Sequence, residues 1–394
     1  MTADILIIGG GVVGSSVAYH LRRDGFTGRV VVVERDPSYA RASSNLAMGG
    51  IRQQFGSAVN IRMAQYSIAF YREFNARMST SARPVDARFT QRGYLFLIDA
   101  ESAGRVEGRL ERQRALGARA ERLSVDEVRR LVPDLWLDDI VFGVMGSEDG
   151  YADPKAVLAG FRSGAEAAGA EYLTGEVVAI HRTEGWATGV TLDDGDEIDA
   201  GIVVNAAGPY ASLVAEMAGV SIPVQPVRQH LFRCALPRVW PYRFPMVIDP
   251  GGVHWRHVDP VSPGDPDRIV LAFTKPDEPA GENFACDDSR WEREFLPALV
   301  RRMPVLKNAR LPVEGWAGLY EMTPDHNPVI GEHPRLRGFY LANGFSGHGL
   351  MMAPATGKAV SELIRLERSE TVDVSPFAAD RFERDALVRD EAVI

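Results

Sequence analysis

Apolar residues near the N-terminus form two short runs that flank a glycine-rich turn. Residues 5–8 are all Ile or Leu, and residues 30–33 are all Val. Continuous apolar runs of this length are typical of strands buried on both faces, as in a parallel sheet. Glycines follow the first run directly, and a helical pattern follows the glycines. The pattern therefore predicts a strand–helix–strand unit that ends near Asp36.

Helical and strand patterns alternate along the rest of the chain. Small residues without either periodicity fill positions 41–55, and a helical pattern then runs through Phe74. Later segments are assigned by periodicity and by their Gly and Pro boundaries. The expected elements are a strand at 89–98, a charged helical stretch at 101–132, a helix at 154–168, strands at 170–181 and 202–208, a helix at 209–218, strands at 229–234, 252–258, 268–273 and 338–344, and a last helix at 353–366.

These elements predict an α/β plus α+β protein with two domains. A discontinuous Rossmann-type nucleotide-binding domain is expected from residues 1–85, 151–220 and 319–394. A substrate domain with an antiparallel sheet is expected from residues 86–150 and 221–318. The length of 394 residues favours two domains, because single cores rarely grow beyond about 250–300 residues.

Composition narrows the classes of function. Hydrophobic residues make up 45% of the chain and charged residues 25%, as in soluble globular proteins. The net charge of −9 disfavours a surface for nucleic acid or anionic membrane. The apolar runs are shorter than the roughly 20 residues that a membrane span needs. We expect no nucleic-acid partner and no membrane span.

The N-terminus and the cysteines suggest a compartment. Only Met1, Thr2 and Ala3 precede the first strand, so we expect no signal peptide. Cys234 and Cys286 show no metal-ligand spacing, and two buried thiols are favoured over a disulfide. A cytoplasmic protein without a metal site is therefore expected.

The glycine turn after the first strand has the spacing of a dinucleotide-binding unit. Gly9 permits the tight turn, Gly11 lets the backbone approach a pyrophosphate, and Gly14 lets the helix pack close to the strand. Glu34 ends the second strand, where a carboxylate accepts hydrogen bonds from ribose hydroxyls. The neighbouring residues included in this expected site are Val12, Val13 and Arg35.

Two C-terminal motifs indicate which dinucleotide is bound. Residues 320–331 read Tyr-Glu-Met-Thr-Pro-Asp-His-Asn-Pro-Val-Ile-Gly, and residues 343–351 read Asn-Gly-Phe-Ser-Gly-His-Gly-Leu-Met. They follow, in order, a Ser-Ser…Gly-Gly-Ile-Arg loop at 43–52, Ala-Ala-Gly at 206–208 and Pro-Val-Arg-Gln at 226–229. With these motifs the chain resembles, over nearly its whole length, the D-amino-acid oxidase superfamily of FAD-dependent oxidoreductases. The likeness is greatest to the sarcosine oxidase, glycine oxidase and dimethylglycine dehydrogenase branch.

The resemblance implies FAD as the cofactor. Gly344, Gly347 and Gly349 would bring backbone N–H groups to the pyrimidine end of the flavin, near a helix N-terminus at Pro354. Gly318 stands where monomeric sarcosine oxidases carry the cysteine that bonds to FAD, so non-covalent FAD is expected. Further expected FAD contacts are Ser43, Ser44, Met48, Gly49, Val178, Ala207, Gly208, Phe345, His348, Leu350 and Met351.

In this branch a hydride leaves the carbon next to the substrate nitrogen, and the resulting imine hydrolyses. Arg52 lies where the family places a carboxylate-binding arginine, although an arginine at the surface or at the flavin phosphates is the alternative. Tyr320 matches the active-site tyrosine. His348 matches the histidine beside the flavin, and a flavin contact is favoured over a catalytic base. Met351 replaces a lysine that helps to hold the substrate carboxylate.

The predicted strand at 252–258 offers a second positive charge that could bind substrate. Alternation places His254 and Arg256 on one face, which is either the active-site face or a solvent face. Two arginines in one pocket would suit a substrate with two carboxylates, such as iminodiacetate. The family's oxygen-activating lysine would lie on the next strand, and Lys275 is too far along to be equated with it, which leaves the acceptor as oxygen or an electron-carrier protein.

The sequence leaves three functions open. The leading hypothesis is FAD-dependent oxidation of a secondary or N-substituted amino acid. The second is a flavoprotein that works as an assembly factor or redox partner, for which bound FAD would not be reduced by small amines. The third is oxidation of a hydroxy acid on the same fold, because an arginine anchor does not distinguish an amine from an alcohol.

Overall fold

The computed structural model of the chain describes residues 1–81, 83–237, 240–260, 264–273, 278–308 and 311–390. Within these residues the strands form two eight-stranded sheets and one two-stranded ribbon. Each large sheet takes its strands from separated parts of the sequence, so the chain passes repeatedly from one sheet to the other.

The strands, in chain order, are β1 (Thr2–Ile8), β2 (Val30–Glu34), β3 (Gly50–Ile51), β4 (Tyr94–Asp99), β5 (Ala120–Leu123), β6 (Ile140–Gly146), β7 (Gly150–Tyr151), β8 (Glu171–Thr174), β9 (Val177–Thr183), β10 (Trp186–Leu192), β11 (Glu197–Asn205), β12 (Gln225–Ala235), β13 (Met246–Ile248), β14 (Val253–Val258), β15 (Arg268–Phe273), β16 (Val313–Met322), β17 (Val329–Glu332) and β18 (Phe339–Asn343).

The α-helices, in chain order, are α1 (Val12–Arg23), α2 (Ser43–Leu46), α3 (Ala58–Arg72), α4 (Phe74–Met78), α5 (Ala103–Ala115), α6 (Val125–Leu131), α7 (Pro154–Ala167), α8 (Ala211–Met217), α9 (Leu296–Arg302) and α10 (Gly349–Leu366). Among the described residues, no helix combines the length and the apolar character needed to cross a membrane.

The first sheet has β1 near its centre, in the order β17-β18-β11-β1-β2-β8. Its strands are parallel except for β17, and the hairpin of β9 and β10 pairs with β11. Helices α1, α3, α7 and α10 supply one hydrophobic core on this sheet, and α8 contributes to a second. The carboxyl ends of the parallel strands are therefore left open to form a nucleotide site.

The second sheet runs β16-β12-β15-β14-β13-β4-β6-β5 and is antiparallel except where β13 meets β4. One face packs its own core, which includes Trp255 and Phe295, against α6 and α9. On the other face Leu231, Val270 and Ala272 pack against Met48. The segment between α2 and β3 therefore lies against this sheet and joins the two halves of the molecule.

The predicted fold class is confirmed: a parallel, Rossmann-type sheet and an antiparallel sheet are present. The expected boundary at residue 318 lies inside β16, which belongs wholly to the second sheet. The sequence pattern also predicted too few strands, because β6, β13, β16 and β17 have no counterpart among the expected elements. The segment at 170–181 is two strands, since β8 pairs with β2 whereas β9 pairs with β10. The charged stretch at 101–132 contains β5, which pairs with β6.

Close contact between α1 and α10 provides a test of this packing. A Cβ added at Gly357 would lie 2.3 Å from Ser16 Oγ and 2.6 Å from the Ser16 backbone. We expect Gly357→Ala to destabilise the protein by about 1–3 kcal/mol, because extra volume in a packed contact forces the helices apart. Urea unfolding measures the change.

Gly108 in α5 offers the matched control, since nothing lies within 4 Å of a Cβ built there. Gly108→Ala should leave stability unchanged or raise it by about 0.5–1 kcal/mol, because alanine favours a helix. Equal effects of the two substitutions would contradict the proposed close packing of α1 on α10.

Candidate active site

The turn between β1 and α1 is shaped by close backbone contacts. Gly9 has φ of +99°, and a Cβ there would lie 2.5 Å from the carbonyl oxygen of Ala206. A Cβ at Gly14 would lie 2.0 Å from the carbonyl oxygen of Gly9. A Cβ at Gly11 would meet only Ser44 Oγ, at 3.6 Å. The first and third glycines therefore allow the strand and helix to meet, and the second keeps the helix N-terminus accessible.

The Glu34 carboxylate is held in place by backbone N–H groups. One oxygen accepts a hydrogen bond from Gly10 N at 2.8 Å, and the other accepts one from Asp36 N at 2.9 Å. Burial raises the pKa of Glu34, and these two hydrogen bonds oppose that rise. Each oxygen retains a further lone pair, as recognition of ribose hydroxyls requires.

A cavity of about 660 Å³ begins at this turn and is lined by residues of both sheets. Its lining joins the β1–α1 turn, the N-terminus of α10 and the inner face of the second sheet. Among the residues expected from the sequence, those that line it are Gly9, Gly11, Val12, Val13, Glu34, Arg35, Ser43, Ser44, Met48, Gly49, Arg52, Ala207, Gly208, His254, Tyr320, Gly347, His348, Gly349, Leu350 and Met351.

Four of the expected cofactor residues lie outside the lining. Gly14 packs against Gly9 instead. Gly344 N donates a hydrogen bond to Glu321 Oε2 at 2.9 Å, and Phe345 is 1% exposed in the core on the first sheet. Val178 is 48% exposed.

The prediction that Val178 contacts FAD is therefore wrong, and its neighbour Val177 lines the cavity instead. Successive side chains of a strand point to opposite faces, so one of Val177 and Val178 must point away from the cavity. Val177 is buried and lines the cavity.

The N-terminus of α10 opens into the cavity. Gly347 has φ of +92°, and a Cβ there would lie 2.5 Å from the ring of Tyr320. His348 precedes the helix without capping it by a side-chain hydrogen bond. The backbone of Gly349 and the next residues therefore presents the positive end of a long helix to the cavity, which suits an anionic group.

Arg52 lines the part of the cavity beside His348, at the N-terminus of α10, and is 1% exposed. Nη1 donates a hydrogen bond to the Gln54 carbonyl oxygen, and Nη2 lies 3.3 Å from His348 Nε2. The guanidinium is 4.1 Å from the centroid of the Phe55 ring. Burial lowers the pKa of Arg52, yet an arginine stays charged at neutral pH.

The two histidines beside Arg52 are neutral at pH 7. Burial lowers the pKa of His348 to about 3, and the charge of Arg52 adds to this shift. Burial lowers the pKa of His254 to about 4. Arg52 can only donate, so Nε2 of His348 accepts; the Gly252 carbonyl can only accept, so His254 carries its proton on Nδ1, 3.1 Å away.

Arg256 does not line the cavity, so the prediction that it supplies a second positive charge there is wrong. Its Nε and Nη2 donate to the Met48 carbonyl oxygen, and Nη1 donates to the His257 carbonyl oxygen at 2.7 Å. The guanidinium lies 4.5 Å from the Tyr151 ring centroid. Alternation predicted only that Arg256 and His254 share one face of the strand. The long Arg256 side chain carries its charge past the cavity to the Met48 carbonyl oxygen.

Sequence reasoning missed several residues of this pocket. Tyr94, Gln229, Leu231 and Met246 also line the cavity. Gln229 ends the Pro-Val-Arg-Gln motif, which was a usable signal. Tyr94 and Met246 meet through the parallel pair of β4 and β13, which brings residues distant in sequence side by side.

The remaining sequence expectations concern a lysine, the Gly318 position, the two cysteines and a metal site. Lys275 lies outside the described residues, and no lysine is among the described residues that line the cavity. Gly318 does line it, whereas Cys234 and Cys286 are free thiols elsewhere in the chain. In the described part of the chain, no group of three or more His, Cys, Asp or Glu side chains is placed to hold a metal ion.

Comparison with known proteins agrees with this geometry. The family model described as FAD-dependent oxidoreductase matches residues 4–363. The chain belongs to this family of FAD-dependent oxidoreductases. The glycine turn, the Glu34 carboxylate and the N-terminus of α10 are the groups that would hold the pyrophosphate, the ribose and the flavin of FAD, respectively, and all of them line one cavity.

This FAD-dependent oxidoreductase is similar to several named proteins. It is 33% identical to FAD-dependent oxidoreductase domain-containing protein 1 of Bos taurus, covering 96% of this chain and 85% of that protein. It is 28% identical to mitochondrial sarcosine dehydrogenase of Homo sapiens, covering 94% of this chain and 40% of that protein. The crystal structure of L-proline dehydrogenase from P. horikoshii is 30% identical with a TM-score of 0.87, covering 98% of this chain and 99% of that one.

The buried histidines predict an acid-sensitive stability. His254 is neutral in the folded protein because burial lowers its pKa to about 4, whereas an unfolded histidine titrates near 6.5. Between pH 7 and pH 5 the unfolded chain takes up a proton that the folded chain does not, so this group lowers stability as the pH falls. His254→Gln should remove up to about 2 kcal/mol of that loss.

Urea unfolding of the FAD-loaded protein at pH 7 and pH 5 measures this difference. His181→Gln, on the half-buried β9 outside the cavity lining, is the control and should follow the wild type. If His254→Gln lost the same stability as the wild type between the two pH values, the neutral assignment of His254 would be wrong.

Proposed function

We propose that this oxidoreductase oxidises the C–N bond of a small secondary or N-substituted amino acid that carries one carboxylate. The observation that carries the proposal is the buried Arg52 guanidinium at the end of the cavity, beside two neutral histidines and an apolar wall. When bound, FAD accepts the hydride that leaves the carbon next to the substrate nitrogen.

The chain would hold FAD along the cavity. Gly11 and the start of α1 would contact the pyrophosphate, and Glu34 would accept hydrogen bonds from the ribose. The N-terminus of α10 would stabilise negative charge on the flavin ring. The Gly318 position and the location of both thiols support a non-covalent FAD.

Arg52 would orient the substrate by its carboxylate. A guanidinium binds a carboxylate through two parallel hydrogen bonds, which fixes both distance and direction. Among the described residues that line this end of the cavity, Arg52 alone is charged positively at neutral pH. Since Arg256 donates to backbone carbonyls instead, a monocarboxylate such as sarcosine or proline is favoured over iminodiacetate.

Neutral histidines suit an amine substrate. Hydride loss from carbon needs the nitrogen lone pair, so the amine has to bind without its proton. A nearby positive charge favours the deprotonated amine, and Arg52 supplies one. Tyr94, Met246 and Leu231 would surround the apolar part of the substrate and exclude water. The resulting imine would then hydrolyse in water.

Two features of the relatives support this class of substrate. The similar P. horikoshii structure is an L-proline dehydrogenase, and the similar human protein is a sarcosine dehydrogenase. Both names refer to secondary amino acids with a single carboxylate. The electron acceptor in this proposal is oxygen or an electron-carrier protein.

Denaturation tests the cofactor and its mode of binding. The purified protein should be yellow, and acid precipitation should release all of the FAD into the supernatant because neither thiol lines the cavity. The absorbance spectrum of the supernatant and the flavin fluorescence of a denaturing gel measure the two fractions. Flavin that stays on the polypeptide would contradict the non-covalent assignment and point to a histidine of the cavity.

Anaerobic titration tests the substrate class. Sarcosine or L-proline should bleach the flavin absorbance, while lactate and iminodiacetate should not. Arg52→Met should raise the substrate concentration for half-bleaching about 100-fold, because the loss of charge-assisted hydrogen bonds costs about 3 kcal/mol. Admission of air after bleaching then separates an oxidase, which reoxidises at once, from a dehydrogenase.

Arg62→Met is the matched control, since Arg62 is exposed on α3. It should leave the titration unchanged. Bound FAD that no amine on the panel reduces would contradict the proposal and favour a partner-protein role. Bleaching by lactate alone would favour the hydroxy-acid alternative.

A further inference from the structure

The Thr-Pro-Asp-His-Asn motif has a role that FAD binding does not explain. Asp325 and Asn327 are buried, and neither lines the cavity. Both contact the segment at residues 378–390, which we call the C-terminal strap. The motif therefore connects β16 and β17 to the strap and not to the cofactor site.

Asp325 anchors the strap through three hydrogen bonds. Arg381 Nε and Nη2 donate to its two carboxylate oxygens at 2.8 Å and 3.0 Å. Val388 N donates to Asp325 Oδ2 at 3.1 Å. The Arg381 and Asp325 side chains are 1% and 2% exposed. A bidentate ion pair at this degree of burial fixes the start of the strap firmly.

Asn327 extends this anchor to α3. Its Nδ2 donates to the Val388 carbonyl oxygen at 2.9 Å, and its Oδ1 accepts from Asn60 Nδ2 at 2.7 Å. Asn60 Nδ2 also donates to Asp390 Oδ2 at 2.8 Å. The strap, the motif and the first turn of α3 thus share one hydrogen-bond network.

Asp390 binds the N-terminus of α3. Oδ1 accepts a hydrogen bond from Gly56 N at 2.7 Å, and Oδ2 accepts one from Ser57 N at 3.1 Å. A carboxylate at this position satisfies free N–H groups and is favoured by the helix dipole. The same two residues end the loop that begins at Arg52, so the strap fixes that loop at its far end.

The loop connects this anchor to the cavity within a few residues. The Phe55 ring, next to Gly56, lies 4.1 Å from the Arg52 guanidinium and 5.3 Å from the His348 ring centroid. The negative charge of Asp390 also opposes the fall in pKa that burial imposes on Arg52 and His348. Asp390 is therefore linked to Arg52 both through the loop and through its charge.

We propose that Asp390 is a positioning residue that holds the Arg52 loop in the geometry needed to bind a carboxylate. The carboxylate role of Arg52 in this inference rests on the proposed function. The strap contributes no atom to the cavity and acts through Gly56, Phe55 and Arg52.

Asp390→Asn separates this role from general stability. Asparagine keeps one oxygen that can accept from Gly56, but its amide nitrogen cannot accept from Ser57 or Asn60. The matched control is Glu383→Gln, which changes a carboxylate to an amide on the same strap, where Glu383 forms an exposed ion pair with Arg335. Both variants should retain the wild-type FAD content.

Two measurements on the FAD-loaded protein decide the proposal. Hydrogen exchange of the peptide that covers residues 52–62 should be at least fivefold faster in Asp390→Asn than in the wild type or Glu383→Gln. The dissociation constant for pyrrole-2-carboxylate, followed through the flavin spectrum, should rise about tenfold, and Asp390→Glu should restore part of the affinity.

The outcomes separate the two claims. Wild-type exchange and wild-type affinity in Asp390→Asn would overturn the positioning role. Faster exchange with unchanged affinity would also overturn it, because the strap would then be only structural. If the wild-type protein bound no carboxylate at all, the proposed function would fail, and the positioning role of Asp390 would fail with it even if the loop became mobile.

Discussion

The burial of one positive charge, that of Arg52, constrains the arrangement of the whole cavity end. An isolated buried charge costs several kcal/mol, and it persists only where hydrogen bonds and opposite charges compensate. The Gln54 carbonyl and the Phe55 ring contact the guanidinium, while the carboxylates of Asp149 and Asp390 favour its charged form. Gln54 and Phe55 belong to the same loop as Arg52, whereas Asp149 follows β6 and Asp390 lies in the C-terminal strap, so the charge ties the loop to both the second sheet and the strap.

The Asp149 carboxylate compensates the positive charge of Arg52 only in part. It is completely buried, and burial raises its pKa to about 7 despite the charge of Arg52. Its oxygens accept from Gln53 N at 2.9 Å and from Gln54 Nε2 at 3.0 Å. Asp149 therefore orients the backbone of the Arg52 loop and is only a partial counter-charge. A site in this condition still favours an incoming anion, and in the proposed function that anion is the substrate carboxylate.

The sequence predicted those features that depend on local pattern. The glycine spacing and the two apolar runs located the turn between β1 and α1, and alternation placed His254 and Arg256 on one face of their strand. Features set by distant pairing were not predictable: the strap bond of Asp390 to Gly56 joins residues 334 positions apart. Alternation also could not decide between Val177 and Val178, since either phase fits an apolar pair. Alternation also could not show that the long Arg256 side chain extends to the Met48 carbonyl oxygen.

The neutral state of the two histidines follows mainly from burial, and the Arg52 charge adds to it. Arg52 lowers the pKa of both His348 and His254, in addition to the larger effect of burial. An amine that entered this pocket would meet the same field and would release its proton more easily. Under the proposed function, the charge that would bind the carboxylate would therefore also favour the amine without its proton, whose lone pair hydride transfer requires. In the proposed function one buried guanidinium thus performs two tasks, since it would orient the substrate carboxylate and favour the deprotonated amine.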